Sequence, residues 1–219
     1  MQIAILAYKN MTALDAVGPY QVLTLIPGAE VKWVAAEAGP VLTDTGLNIV
    51  ADSTFDEVPH PDILVVPGGL ETEHAEDKVT LDWICAVDKT STWTTSVCTG
   101  ALVLGKAGLL NGLQATTHWA ALDKLAQYGA TPVKARVVRA GKIVTGAGVT
   151  AGIDTALKLV EYVAGAEVAQ TIQLCMQYDP QPPFDAGEPG IVSPQVLADA
   201  HLFLERSIAK AHAQDKAQV

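Results

Sequence analysis

The sequence has 219 residues, of which 49% are hydrophobic and 17% are charged, so it can form a sizeable core and is not a disordered chain. Its formal net charge of −10 disfavours binding to nucleic acids and to anionic membrane surfaces. Three cysteines without metal-binding spacing argue against a disulfide framework and a structural zinc site. No leader and no membrane-spanning segment is expected, and the composition predicts a cytosolic protein in a reducing compartment.

Short apolar runs alternate with segments of helical periodicity along the chain. Ile3–Ala7 and Ile63–Val66 are too short for helices and too apolar for half-exposed strands, so they predict buried strands of a parallel sheet. The other predicted strands are Val31–Ala36, a hairpin of Val41-Leu42 with Leu47–Val50, Thr92–Val97, and a pair formed by Val137-Val138 and Ile143-Val144. The predicted helices are Leu14–Ile26, Val79–Lys89, Ala101–Leu110, Trp119–Tyr128, Thr150–Val163, Glu167–Tyr178 and Pro194–Ala213.

This alternation predicts a single α/β domain over residues 1–219. We expect a mostly parallel central sheet with helices on both faces and a terminal helix, at about 194–213, that packs back on the domain. Ligand sites in such sheets gather at the carboxyl ends of the strands. Three candidate segments follow predicted strands and should meet there: the segment around Asp15, the turn Pro67-Gly68-Gly69, and Cys98.

Cys98 lies where a predicted strand turns sharply into a predicted helix. Such an elbow exposes a nucleophilic side chain at the sheet edge, and the amides of the following helix favour thiolate over thiol. The alternative is an ordinary buried cysteine, because free cysteine is among the most buried residue types. Cys85 and Cys175 lie in amphipathic helices and are predicted to be core residues.

Four further residues are candidates for the same site. The backbone at Gly68 and Gly69 can approach a ligand closely, so their amides could form an oxyanion hole beside Cys98, although a plain strand-ending turn is the alternative. Asp15 is predicted to be either a helix cap or a partly buried acid that faces Cys98. His118 could pair with Cys98, but a histidine hydrogen-bonded at a helix start is the simpler interpretation. The sequence contains no dinucleotide fingerprint, serine-hydrolase order or metalloenzyme motif.

Several motifs surround these residues. They are Leu14-Asp15-Ala16-Val17-Gly18-Pro19, Val66-Pro67-Gly68-Gly69, Thr95-Ser96-Val97-Cys98-Thr99-Gly100-Ala101, Ala107-Gly108-Leu109-Leu110, Ala115-Thr116-Thr117-His118-Trp119 and Thr150-Ala151-Gly152-Ile153-Asp154. Together they resemble the ThiJ/PfpI superfamily of flavodoxin-like α/β proteins. The segment from Gln177 to Gly187 resembles the isonitrile (isocyanide) hydratase branch in particular. The resemblance covers about residues 1–190.

The resemblance implies a nucleophile at Cys98, an acidic partner at Asp15 and a homodimer. An apolar share of 49% also fits a buried two-fold interface. Departures from other branches weigh against their activities. Thr99 stands where PfpI-type peptidases carry histidine, and Asp15 stands where the deglycase-like branch carries glutamate. The His-x-Glu pair of class I glutamine amidotransferases is absent after Cys98.

The activity implied by the resemblance is the addition of water to an isonitrile, R–NC, to give an N-substituted formamide. Cys98 is expected to attack the terminal carbon while Asp15 delivers a proton, and water then hydrolyses the covalent thioimidate. Backbone amides near Gly69 and Thr99 would stabilise the intermediate, and the Thr99 hydroxyl would bind the water or the carboxyl group of Asp15. This chemistry requires no metal and no organic cofactor.

A second hypothesis comes from a different class of protein. The sensory domains of AraC-type regulators share the Cys-Thr-Gly and Thr-Thr-His-Trp motifs, so the chain could be a stand-alone ligand or redox sensor. DNA binding is not expected, because the net charge is −10 and only one predicted helix follows the Pro-rich segment. Turnover separates the hypotheses, since a sensor binds a ligand or is oxidised at Cys98 without releasing product.

Overall fold

The computed structural model describes residues 1–216 of the chain. The strands are β1 (Gln2–Leu6), β2 (Glu30–Ala35), β3 (Gly39–Leu42), β4 (Asn48–Ala51), β5 (Ser53–Thr54), β6 (Ile63–Val66), β7 (Trp93–Ser96), β8 (Gln114–Ala115), β9 (Thr131–Pro132), β10 (Val137–Ala140) and β11 (Ile143–Gly146). The α-helices are α1 (Ala13–Leu23), α2 (Lys78–Thr90), α3 (Gly100–Lys106), α4 (Ala151–Ala164), α5 (Ala166–Cys175) and α6 (Pro194–Lys216). Glu73–Ala75 and Trp119–Tyr128 are 3₁₀ helices.

A seven-stranded sheet forms the centre of the molecule, in the order β10-β11-β7-β6-β1-β2-β5. All neighbouring strands are parallel except β10 and β11, which form the antiparallel pair that the sequence predicts. Strand β1 lies between β2 and β6, and its residues Ile3 to Leu6 are fully buried. The predicted flavodoxin-like α/β class is therefore confirmed. Apolar strands of this kind need cover on both faces of the sheet.

Two groups of helices cover the sheet. Helix α1 packs against α4, which also packs against α5, while α2 and the 3₁₀ helix Trp119–Tyr128 pack against α3. Helix α6 returns to the domain through buried Ala211 and a close contact between the His212 imidazole and the Glu71 carboxylate. It runs to Lys216 instead of Ala213, and residues 217–219 of the predicted domain lie outside the described residues. Within residues 1–216, no helix is long and apolar enough to cross a membrane.

Several predicted helices differ from the observed ones at their ends. Helix α3 ends at Lys106 and not at Leu110, because Gly108 adopts a left-handed conformation with φ +79°. Helix α5 ends at Cys175 and not at Tyr178, and Gln177 has a φ of +50°. The helix predicted over Trp119–Tyr128 has 3₁₀ geometry. Turn geometry of this kind is not visible in apolar periodicity.

The buried face of α1 is not the one that apolar spacing indicates. Helical spacing places Leu14 and Val17 on the same side as Val22 and Leu23, yet Leu14 and Val17 are 43% and 37% exposed, whereas Asp15 and Gly18 are buried. A Cβ atom at Gly18 would lie 3.3 Å from Cγ1 of Ile153, so glycine allows α1 and α4 to pack closely. An acid and a glycine thus occupy inward positions that hydrophobic periodicity assigns to leucine and valine.

Candidate active site

The loops that follow β1, β6 and β7 meet at one edge of the sheet. β6 pairs with both β1 and β7, so the carboxyl ends of these parallel strands are neighbours. The loop after β1 leads into α1 and Asp15, the loop after β6 contains Gly68, and the loop after β7 contains Cys98. The three segments singled out in the sequence therefore lie together, as the topology of a parallel sheet predicts.

Cys98 forms a strained elbow between β7 and α3. Its φ of +54° is in the left-handed region, which a non-glycine residue rarely adopts. Its N–H donates to the carbonyl of Ala147 at 2.7 Å, and its carbonyl accepts from Oγ1 of Thr117 at 2.6 Å. A Cβ atom at Gly100 would lie 2.2 Å from the carbonyl oxygen of Val66, so the elbow requires glycine there.

The Cys98 side chain is buried, contrary to the expectation that the elbow exposes it. Only 4% of the residue is exposed. The pKa of the thiol is raised well above its usual value, first by burial and then by the charge of Asp15, while the Thr99 amide and hydroxyl act in the opposite direction. The Thr99 amide therefore favours the thiolate as predicted, but burial outweighs it, so the expected net lowering of the Cys98 pKa is not found.

Asp15 lies in the first turn of α1 and is fully buried. Its Oδ2 accepts a hydrogen bond from the Gly68 N–H at 3.0 Å, and its Oδ1 has no hydrogen-bond partner among the described residues. Thr12, not Asp15, occupies the N-cap position, so the capping alternative is not observed. Burial raises the pKa of Asp15 to about 7, although hydrogen bonds from Gly68 and the Cys98 thiol lower it.

Asp15 and Cys98 therefore form a buried pair of acids. The charge of Asp15 raises the pKa of the Cys98 thiol, whereas the hydrogen bond from that thiol lowers the pKa of Asp15. We assign the resting proton to the Cys98 sulfur, because a thiol is intrinsically the weaker acid. The arrangement can pass a proton between sulfur and carboxylate without the help of bulk water.

The amides of Gly68 and Gly69 are engaged within the site. The Gly68 amide bonds Asp15, and the Gly69 amide donates to Oγ1 of Thr99 at 2.9 Å. The Thr99 hydroxyl in turn donates to the carbonyl of Gly69 at 2.7 Å. A Cβ atom at Gly68 would lie 2.5 Å from both N and Oγ1 of Thr99. The predicted oxyanion hole is thus not open in this arrangement, because both amides hold side chains of the site.

His118 and the remaining cysteines do not join Cys98. His118 is the N-cap residue of the 3₁₀ helix, and its Nδ1 accepts from the Ala120 N–H at 3.3 Å, as the simpler interpretation expected. Burial lowers its pKa. Cys85 is half-buried, but Cys175 is exposed, so its prediction as a core residue is wrong. The apolar spacing in α5 did not show which face of the helix is buried and which is exposed.

Two buried residues of the site were missed in the sequence. Tyr8 donates its hydroxyl to the carbonyl of Pro67 at 3.1 Å, and burial followed by the charge of Asp15 raises its pKa well above the usual value. Thr117 holds the elbow through the Cys98 carbonyl. Thr117 belongs to the Thr-Thr-His-Trp motif, so the sequence did mark it as a candidate for the site. For Tyr8 the only indication in the sequence was its position directly after β1.

Two cavities flank this edge of the sheet, and Val149 lines both. The first, of about 670 Å³, contains Thr117 and Ala147, the residues bonded to the main chain of Cys98. The second, of about 710 Å³, lies between the start of α1 and helix α6. Within residues 1–216, no group of three or more His, Cys, Asp or Glu side chains is arranged to hold a metal ion.

Comparison with known proteins assigns this arrangement to a family. The sequence model of the DJ-1/PfpI family matches residues 1–162. Isonitrile hydratase of Pseudomonas putida is 45% identical over 201 residues, which cover 91% of this chain and 88% of that protein. The HTH-type transcriptional regulator CdhR of Pseudomonas aeruginosa is 30% identical over 175 residues, which cover 78% of this chain and 52% of the regulator.

Solved structures agree with the sequence comparison. A ThiJ/PfpI family protein from Pseudomonas syringae has a TM-score of 0.90 and 40% identity, with 97% of this chain and 89% of that chain covered. Oxidized DJ-1 from Toxoplasma gondii has a TM-score of 0.73 at 24% identity, with 82% and 99% covered, and supports the fold alone. The predicted resemblance to the ThiJ/PfpI superfamily and its isonitrile hydratase branch is thus confirmed. The chain belongs to the DJ-1/PfpI family.

Proposed function

We propose that this protein is an isonitrile hydratase, which adds water to R–NC to give an N-substituted formamide. The observation that carries the proposal is the buried pair of Cys98 and Asp15, with Asp15 bound to Gly68 and its pKa raised to about 7. Similarity to the Pseudomonas putida isonitrile hydratase supports the same reaction. The terminal carbon of an isonitrile accepts both a nucleophile and a proton, which is what a thiol next to a carboxylate supplies.

The first half of the reaction forms a covalent intermediate. The Cys98 thiol passes its proton to Asp15 as the sulfur attacks the terminal carbon, forming the C–S bond. Asp15 then delivers that proton to the same carbon, which gives the thioimidate R–N=CH–S–Cys98. The two transfers return Asp15 to its carboxylate. A raised thiol pKa is no obstacle, because the thiolate exists only while its proton rests on the neighbouring acid.

The second half of the reaction adds water. Water attacks the thioimidate carbon, one of its protons goes to the nitrogen, and the C–S bond of the tetrahedral adduct breaks as the formamide carbonyl forms. The remaining hydroxyl proton returns to the Cys98 sulfur by way of Asp15. No metal or organic cofactor enters any step.

Thr99, Gly68 and Gly69 are proposed to position the reacting groups. The Gly68 amide donates a hydrogen bond to Asp15. The Thr99 hydroxyl accepts from the Gly69 amide and donates to the Gly69 carbonyl. The Thr99 amide approaches the Cys98 sulfur and lowers the pKa of the thiol, so it stabilises negative charge there. Loosening of the bond between Gly69 and Thr99 would free the Gly69 amide for the tetrahedral adduct, as the sequence suggested.

A ligand or redox sensor remains the second candidate function. Similarity to the regulator CdhR over about half of that protein favours it. We further propose a cytosolic homodimer, because the three free cysteines fit a reducing compartment and α1 leaves Leu14 and Val17 exposed.

Incubation of the purified protein with n-butyl isonitrile tests the proposal. Hydration predicts catalytic formation of N-butylformamide, in many equivalents per protein molecule. Reaction of only one equivalent per protein molecule, or binding without product, would contradict the hydratase proposal and support the sensor.

A further inference from the structure

The cavity of about 710 Å³ borders the loops after β1 and β6, two of the three segments of the site. Its inner wall includes Thr12 at the start of α1, Leu70 directly after Gly69, and Val149 close to the Ala147 carbonyl that binds Cys98. A volume of this size falls within the range of small-molecule pockets. It is large enough for a substituent bound through the isonitrile carbon at Cys98.

Helix α6 forms the outer wall of this cavity through Phe203, Ser207, Lys210 and Ala211. The wall is held in place because the His212 imidazole contacts Glu71, which follows Leu70 in the loop after β6. The match to the family sequence model ends at residue 162, so α6 lies outside it. The shape of the cavity is therefore set by a segment that the family model does not contain.

The floor of the cavity contains unpaired polar atoms. Thr43 is only 2% exposed, and neither its Oγ1 nor the buried Oδ1 of Asp44 has a hydrogen-bond partner within the part of the chain that the structure describes. Buried polar groups in native proteins are nearly always paired, so each exception calls for an explanation. In contrast, Lys134 in the other cavity is paired with Glu188.

The Thr12 hydroxyl and the Thr45 backbone orient the Asp44 carboxylate, and its Oδ1 lacks a hydrogen-bond partner among the described residues. Its Oδ2 accepts from Oγ1 of Thr12 at 2.5 Å, and its backbone N–H donates to the carbonyl of Met11 at 3.1 Å. The terminal torsion of an aspartate is soft, so a small rotation presents Oδ1 to the cavity while Oδ2 keeps its bond to Thr12. An ionised carboxylate only accepts hydrogen bonds, and it therefore needs a donor on the ligand.

A neutral donor suits the cavity better than a cation. Lys210 also lines it, so an ammonium group beside Asp44 would face a like charge. A hydroxyl group carries no net charge, donates one hydrogen bond and accepts others. It can donate to Asp44 and accept from the Thr43 hydroxyl.

We infer that this cavity holds the substituent of the isonitrile and that Asp44 and Thr43 select substituents carrying a hydroxyl group. The inference rests on the proposed hydratase function, which leaves the R group open. The apolar wall formed by Leu42, Leu70 and Phe203 contacts the carbon chain, and the polar floor contacts its end. Asp44 is then a specificity residue and takes no part in the chemical steps.

Competition between n-pentyl isonitrile and 5-hydroxypentyl isonitrile tests the inference through the ratio of their kcat/KM values. A hydrogen bond to a charged acceptor predicts a ratio of at least about tenfold in favour of the hydroxyl compound. Asp44→Ala should bring the ratio close to one, and Asp44→Asn, which keeps a neutral acceptor, should leave about threefold. The ratio cancels any effect of the substitution on the shared chemical steps.

Asp123→Asn is the matched control, because Asp123 is exposed and its loss changes the net charge equally. It should leave the ratio at the wild-type value. Hydration of both compounds with a ratio near one, or a ratio that Asp44→Ala does not change, overturns the inference alone. Leu122 lines the other cavity, of about 670 Å³. A ratio that responds to Leu122→Ala but not to Asp44→Ala places the substituent there and also overturns the inference. Failure of the wild type to hydrate either compound overturns the proposed function and this inference with it.

Discussion

Asp15→Asn separates the chemical role of this residue from its role in the fold. The amide oxygen of asparagine can still accept the hydrogen bond from Gly68, so the local geometry of α1 should persist. Asparagine cannot take the thiol proton and deliver it to the isonitrile carbon. General acid–base catalysis contributes about 10²- to 10⁴-fold, so we expect turnover of n-butyl isonitrile to fall by at least about 100-fold.

The stability of the same variant should change in the opposite direction. Folding raises the pKa of Asp15 from 3.8 to about 7, and at 1.36 kcal/mol per pKa unit the ionised carboxylate loses about 4 kcal/mol of folding free energy. A raised folded-state pKa gives stability that is fully present below pH 4 and is lost as the pH rises to 7. Asparagine does not ionise, so its advantage over aspartate should grow between pH 4 and pH 8, up to about 4 kcal/mol.

Chemical denaturation at pH 4 and pH 8 measures the change in stability, and formamide production at pH 8 measures the change in turnover. Asp56→Asn, at an exposed position, is the control and should match the wild type in both assays. Near-normal turnover of Asp15→Asn together with lower stability at pH 8 would refute the reasoning, because Asp15 would then serve the fold and not the reaction.

Three further predictions follow from the same geometry. The kcat/KM value should fall as the pH drops below about 7, because a protonated Asp15 cannot accept the Cys98 proton; a flat profile from pH 5 to 8 would contradict this. Limiting iodoacetamide should label exposed Cys175 before buried Cys98, as peptide mapping would show, and the reverse order would mean that the elbow opens readily. Sedimentation at micromolar concentration should give a dimer, and Leu14→Glu should shift it towards monomer if α1 forms the interface; a wild-type monomer would remove the dimer.

The sheet and the place of the site could be predicted from the sequence because both depend on local patterns. Ile63–Val66 is a fully apolar run that ends at Pro67-Gly68-Gly69, and it forms a buried strand followed by a tight turn. Parallel strand ends share one edge, so the convergence of Asp15, Gly68 and Cys98 needed no knowledge of side-chain contacts. The single residues around which the site is built were therefore visible in the sequence.

The electrostatics of the site could not be predicted, because they depend on burial. Position after a strand suggested an exposed, acidified Cys98, yet the packing around it leaves 4% exposure and raises the pKa of its thiol. The inward orientation of Asp15 depends on the close approach of Gly18 to Ile153, a contact between α1 and α4. Asp44 had no signal of its own, since the cavity it lines requires α6, more than 150 residues later in the chain.

Covalent capture at Cys98 tests the central claim most directly. Rapid acid quenching of the wild type with n-butyl isonitrile, followed by intact-mass analysis and peptide mapping, should reveal an adduct of one isonitrile on the peptide containing Cys98. The adduct should decay as N-butylformamide appears. Cys98→Ser should keep the fold, which its circular dichroism would show, and should give neither adduct nor product, because serine supplies no comparable nucleophile in this site. Formation of N-butylformamide by Cys98→Ser at the wild-type rate would contradict the account.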